Sequence, residues 1–238
     1  MTLPVKTSAI QAHDLGKSYG PPDNRVDVLR ALSLHVHPGE LTLCVGPSGS
    51  GKSTLLAALS GLLRPDSGQV TLLGEDLWSL AESRRDRFRL EHCGFVFQGF
   101  NLFPGLSALE NVLLPLRFLG IALAEARRRA RDALAEVGLA NHAHLFPAAL
   151  SGGEKQRVAI ARAITREPRL IFADEPTSAL DRHNGQIVID ILHRFARTHG
   201  AAVIAVTHDP RLLSHADRVI HLEDGCIQHD GPAPPVSA

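Results

Sequence analysis

Two rhythms alternate in the placing of hydrophobic and polar residues along this chain. Short apolar runs, continuous or alternating, predict strands at residues 10–15, 28–36, 41–45, 70–73, 94–97, 170–173 and 202–206. Stretches with apolar residues at helical spacing predict helices over 52–62, 153–166 and 184–199. The HPGE segment at 37–40 supplies a turn between two of the strands. Strands separated by helices imply a mostly parallel sheet covered on both faces, hence an α/β fold.

Between 104 and 150 the pattern changes. Residues 109–118 are apolar, and LAEARRRARDALAEV at 123–137 places Leu123, Ala126, Ala130, Leu134 and Val137 on one helical stripe with arginines elsewhere. This reads as a helical lobe set into a sheet domain. The expected organisation is one domain over 1–238. Its core and an antiparallel β part occupy about 8–97 and 160–230, the helical lobe about 98–159, and a loose tail 231–238. The ends before Ser8 and after His229, where DGPAPPVSA begins, carry no pattern.

Composition narrows the class. At 238 residues and 44% hydrophobic, the chain can bury a substantial core. It has 25 basic and 25 acidic residues, so no general field draws nucleic acid and any anion must be met locally. Cys44, Cys93 and Cys226 are far apart, which argues against a disulfide framework or zinc site and suits a reducing, cytoplasmic setting. No apolar run approaches the roughly 18 residues of a membrane span, so work at a membrane requires an anchoring partner.

The strongest chemical signal is GPSGSGKST at 46–54, which follows a predicted strand and precedes a predicted helix. Gly46, Pro47, Ser48, Gly49, Ser50 and Gly51 form a loop whose backbone N–H groups can turn onto a polyphosphate, with Thr54 closing the motif at the helix start. Lys52 is expected at the β and γ phosphates and Ser53 at Mg²⁺. The lysines are Lys6, Lys17, Lys52 and Lys155, and every other basic residue is arginine, so Lys52 departs from the habit of the chain. LIFADE at 170–175 supplies the metal carboxylate, Asp174, at a strand's carboxyl edge, and after it Glu175. Glu175 is the candidate general base for an attacking water, a role worth about 10²–10⁴ in rate. Gln98 and His208 each follow a buried strand and are expected near the same edge, with Gln98 also a candidate metal contact.

A second anion-binding element, LSGGEKQR at 150–157, has Ser151 placed to cap a helix and Gly152 and Gly153 to expose its first N–H groups. One γ-phosphate does not fit two cradles of one small domain. The simplest resolution is a nucleotide shared between two copies.

LSGGEKQR, with GPSGSGKST, Gln98, ADEP, SALD at 178–181 and His208 in that order, resembles the nucleotide-binding subunit of ATP-binding cassette transporters over most of the chain. The resemblance implies a P-loop ATPase in a head-to-tail dimer with two ATP molecules between subunits, beneath a separate membrane permease. It implies that Ser151, Gly152 and Gly153 act in trans on the γ-phosphate and that Asp181 serves communication across the interface. His208 is implied to anchor the γ-phosphate and water. Tyr19 stands where the family places an aromatic that stacks on adenine, with core packing as the alternative. GFVFQGFNLFPGLSALENVLLPL and VTHDPRLLSHADRVIHLEDG are most similar to the group driving lipoprotein release and macrolide efflux, which implies export through a permease with a membrane-fusion partner. Ser178 and Ala179 stand where that group often has Gly-Asn. TSALD and FNLFP are common in polar amino-acid importers, so import and a division-type regulatory role stay open. The expected place is the cytoplasmic face of the inner membrane, held there by the permease. Phe100, Leu102 and Phe103 form either a groove for a permease helix or part of the lobe's core.

Overall fold

The structure, a computed structural model, describes residues 8–235. An antiparallel sheet is built from β1 (Ile10–Tyr19), β2 (Val26–Val36), β4 (Ser67–Leu72) and β5 (Glu75–Asp76), in the order β2-β1-β4-β5. The larger sheet takes β3 (Leu41–Val45), β6 (Cys93–Val96), β7 (Leu170–Asp174), β8 (Ala202–Thr207), β9 (Arg218–Glu223) and β10 (Cys226–Pro232), in the order β10-β9-β3-β8-β7-β6. All of its pairings are parallel except β9 with β10. The helices are α1 (Lys52–Leu59), α2 (Glu82–His92), α3 (Ala108–Phe118), α4 (Leu123–Glu136), α5 (Gly152–Ile164) and α6 (Arg182–His199).

The period of two along each central strand feeds two different cores. In β8, Val203 and Ala205 join the core formed with α3, α4, α5 and α6. Ala202, Ile204 and Val206 join the core formed with α1 and the antiparallel sheet. Such strands are buried on both faces, which is why they read as unbroken apolar runs. Burial pushes the thiols of Cys44 and Cys93 up to about 12, so both stay protonated and unreactive.

Several expectations shift. The helix opened by Lys52 ends at Leu59, not Leu62: Gly61 turns left-handed (φ 73°), and the amides of Leu62 and Leu63 both return to the Ala57 carbonyl. Leu123 lies at the rim of its helical stripe and is exposed, while Ala126, Ala130, Leu134 and Val137 are buried. The stretch beginning at Asp230 is not loose at its start. It continues β10 to Pro232, because Arg218 pairs with the Asp230 carboxylate and the Ala233 amide donates to the Asp217 carbonyl. Pro232 is tolerated because β10 is an edge strand. Residues 1–7 and 236–238 lie outside the described residues. Among those described, no helix is long and apolar enough to cross a membrane.

Candidate functional site

β3, buried at all five positions, delivers the chain to a loop that opens α1. Gly51 at the turn has φ 100°, and a Cβ there would meet the Val28 carbonyl oxygen at 2.6 Å, so only glycine fits beneath β2. Lys52 is nearly buried. Its ammonium donates to the carbonyls of Gly46 (2.9 Å) and Pro47 (2.8 Å), which leaves capacity for one further acceptor. Ser50 is buried behind the loop.

Pairing of β7 between β6 and β8 carries Asp174 to the carboxyl edge beside the loop. The Ser53 hydroxyl donates to Asp174 Oδ1 at 3.0 Å. Burial holds the Asp174 carboxyl above the ordinary aspartate range, with the Glu175 charge acting the same way; the Ser53 hydrogen bond and Lys52 oppose them. Glu175 has a left-handed backbone (φ 47°), a strained conformation for this residue. Its amide donates to the Val206 carbonyl (3.0 Å), and its own carbonyl accepts from the Ser178 amide and hydroxyl. Both carboxylate oxygens lie 3.0 Å from His208 Nδ1. His208 is the more exposed partner of the pair.

Lys52, Ser53, Glu175 and His208 share one cavity of about 510 Å³ with Ser48, Gly49, Gly51, Thr54, Gln98 and Val28, while Gly46, Pro47, Ser50 and Asp174 do not line it and Asp174 meets it through its bond to Ser53. Val28 was not anticipated: nothing in an alternating strand marks the residue that will lie across a distant loop. Tyr19 does not line the cavity. It is exposed at the end of β1 with the Lys17 ammonium 5.7 Å from its ring, which removes the core-packing alternative. The oxygen donors Ser53, Asp174 and Gln98 beside a phosphate-type loop are a hard-ligand set that fits Mg²⁺, which commonly takes one or two carboxylates and completes its shell from phosphates and water.

Ser151, Gly152 and Gly153 do not line this cavity. Ser151 caps α5: its hydroxyl accepts from the Glu154 amide, and Glu154 Oε2 accepts from the Ser151 amide at 2.8 Å. Gly153 is needed for packing, since a Cβ there would stand 2.5 Å from Asn184 Oδ1. Asn184 is in turn held by Asp181, the cap of α6. Asp181 is thus tied to the start of α5 through one side chain.

A loop of this composition on a parallel-sheet edge, followed by a serine-capped Gly-Gly helix, coincides with a family match: the ABC transporter profile covers residues 29–178. The chain belongs to the ABC transporter family. It is an ATP-binding ATPase subunit of that family. Among relatives of this ABC chain, an uncharacterized ABC transporter ATP-binding protein YbbA of Escherichia coli is 45% identical over 93% of this chain and 97% of its own. The lipoprotein-releasing system ATP-binding protein LolD of Bordetella pertussis is 46% identical over 97% of this chain and all of its own. The bacterial ABC transporter cassette MJ0796, solved as a dimer, superposes with a TM-score of 0.86 at 37% identity, covering 94% of this chain and 98% of that one. A dimeric post-hydrolysis form of MJ0796 bound to ADP and Pi gives the same TM-score at 36% identity.

Proposed function

We propose that this ABC ATPase powers export or extraction of a substrate through a separate permease, as a nucleotide-sandwiched dimer. It would work peripherally at the cytoplasmic face of the inner membrane. The observation that carries the reading is the end-to-end similarity to the lipoprotein-releasing LolD. A membrane-fusion protein beside the permease belongs to the same proposal.

In this reading the sheet-bearing core at about 8–97 and 160–230 binds ATP, and the helical lobe at about 98–159 meets the permease. Gly46 to Thr54 cradle the phosphates, Lys52 neutralises the β and γ oxygens, and Tyr19 stacks on adenine. Ser53, Asp174 and Gln98 would hold Mg²⁺, which supplies charge neutralisation on the β and γ phosphates when bound. Glu175 takes a proton from the attacking water, and His208, hydrogen-bonded to it, holds the carboxylate in position and contacts the γ-phosphate. Hydrolysis is mainly positioning and electrostatics, so the trans contact of Ser151, Gly152 and Gly153 matters as much as the base. Asp181, tied to that helix start through Asn184, relays the state of one subunit to the other.

Phe103 is exposed at the junction with the helical lobe, whereas Leu102 packs against the core. The proposed docking point for the permease is therefore Phe103 and its neighbour Phe100, without Leu102. Capturing the Glu175→Gln protein with ATP from its native membrane tests the whole reading. Recovery of a permease with few spans and a large extracytoplasmic domain supports export or extraction. Recovery of a compact multi-span permease with a solute-binding protein means import and sinks the proposal.

A further inference from the structure

Two half-buried guanidiniums stand at the end of α5, Arg162 in its last turn and Arg166 two residues past Ile164, and neither has a carboxylate partner among the described residues. Both instead grip backbone carbonyls at the two ends of β6. Arg166 donates to Cys93 (2.7 Å) and Leu90, where α2 enters the strand. Arg162 donates to Phe100 (2.8 Å) and Asn101, where the chain leaves the strand past Gln98. Burial disfavours the charge of each, so carbonyl acceptors are the compensation that keeps them there.

The acceptors of Arg162 are not ordinary. Phe100 (φ 60°) and Asn101 (φ 49°) are consecutive left-handed residues, and for phenylalanine that conformation is unfavourable. A guanidinium fork bonded to both carbonyls holds that pair of residues in place. On the other side of the loop, the buried Asn111 side chain accepts from the Phe103 amide and donates to the carbonyls of Phe103 and Leu106. The segment from Gln98 to Leu106 is clamped between α5 and α3.

We infer that Arg162 is a positioning residue: it fixes the turn that aims Gln98 into the nucleotide cavity and fastens that turn to the helix opened by Ser151. A contact made at the N-terminus of α5 therefore reaches Gln98 of the same subunit through a rigid helix and two hydrogen bonds. Arg166 performs the same grip at the far end of β6, away from the cavity, and only stabilises the strand. The inference rests on the proposed role of Gln98 beside the reacting phosphate.

The pair supplies its own control. Arg162→Met should lower kcat per nucleotide-binding molecule about 10-fold to 100-fold, the scale expected of a small misplacement of a reacting group, with ATP affinity little changed. Arg162→Lys, which keeps the charge but loses the fork, should recover part of that loss. Arg166→Met should lower the melting temperature and leave kcat per binding-competent molecule unchanged. Hydrogen exchange at amides 97–103 reads the clamp without turnover and should rise in Arg162→Met alone. Equal kcat in Arg162→Met and wild type, or equal loss in the two methionine variants, overturns the inference. Unchanged exchange at 97–103 overturns it as well, even if Arg162→Met is too unstable for kinetics and Arg162→Lys stands in its place. If the exchange rises as expected while kcat holds in a Gln98→Ala variant, the clamp stands and the role given to Gln98 is what fails.

Discussion

Helices α3 and α5 begin with the same device and end up with different uses. Ser107 and Glu110 form a capping box whose bonds match those of Ser151 and Glu154 in length: 2.8 Å from the serine amide to the carboxylate, 2.7 Å from the hydroxyl, 3.3 Å back to the third amide. At α3 the next amides are already taken, Ala108 by the Leu145 carbonyl (2.8 Å) and Leu109 by the Ala143 carbonyl (2.9 Å). At α5 the next residues are Gly152 and Gly153, for whose amides no such backbone acceptor occurs among the described residues. A capping box stabilises a helix start; whether that start is also an anion site depends on whether another segment has covered its N–H groups.

The largest effect expected is on Glu175→Gln. Turnover should fall by at least about 10²-fold, the weight of a general base, while ATP drives the protein into a dimer seen by size-exclusion chromatography. In that dimer, hydrogen exchange at Gly152 and Gly153 should slow, while Ala108 and Leu109, already bonded, stay as they were. Rapid turnover by this variant removes Glu175 from its role, and equal protection at both helix starts removes the contrast.

Next in size is the pair Ser151→Ala and Ser107→Ala. Each loses a cap, worth about 1 kcal/mol, and denaturant unfolding should show similar losses. ATPase assays should separate them, since only Ser151→Ala removes a group from the trans phosphate contact and should cost about 10²-fold in kcat. A comparable kinetic loss in Ser107→Ala would mean that both helices act through stability alone.

Phe103→Asp probes the α3 side by itself. The exposed ring contributes little to the core, so soluble ATP binding and melting temperature should hold while copurification with the permease is lost. A collapse in folding would place Phe103 in the structure rather than at a docking surface.

The smallest effect separates nothing and so tests the sameness of the two caps. Hydrogen bonds from the Ser107 and Ser151 amides hold Glu110 and Glu154 below the ordinary glutamate range. A carboxyl depressed in the folded state contributes stability above its unfolded pKa and loses it as pH falls through the folded one. Both caps should therefore weaken together only in the acid range. Melting curves of Glu110→Gln and Glu154→Gln should lose the same small part of the acid dependence, and unequal losses would show that the boxes are not equivalent.

What was legible in the sequence follows from how local each signal is. The strand and loop from Leu41 to Thr54 were readable because a buried strand and a glycine turn are written in adjacent residues. Helix α2 was not, because ESRRDRFRLEH buries only Phe88 and shows no apolar stripe. The hairpin of β9 and β10 was missed for a related reason: β10 is a polar edge strand with Gly231 and Pro232 near its end. Gln98 and His208 line the cavity, and each follows an apolar run that reads as a strand, β6 at the sheet's edge for Gln98 and the central β8 for His208. For Tyr19 the sequence offers adenine stacking with core packing as the alternative, since one aromatic at a strand end carries no periodicity, and the structure removes the latter.

The sequence by itself determined the α/β class, the phosphate loop, the acidic pair at a strand end and the presence of a second capped Gly-Gly helix. These depend on backbone preferences and patterns within a dozen residues. Tertiary structure alone decided that Val28 crosses the loop. It also decided that α3 loses its free amides to residues 143–145 and that Arg162 reaches a turn 62 positions before it. Those outcomes depend on which strands lie side by side in the sheet, and no local pattern encodes the meeting of residues so far apart.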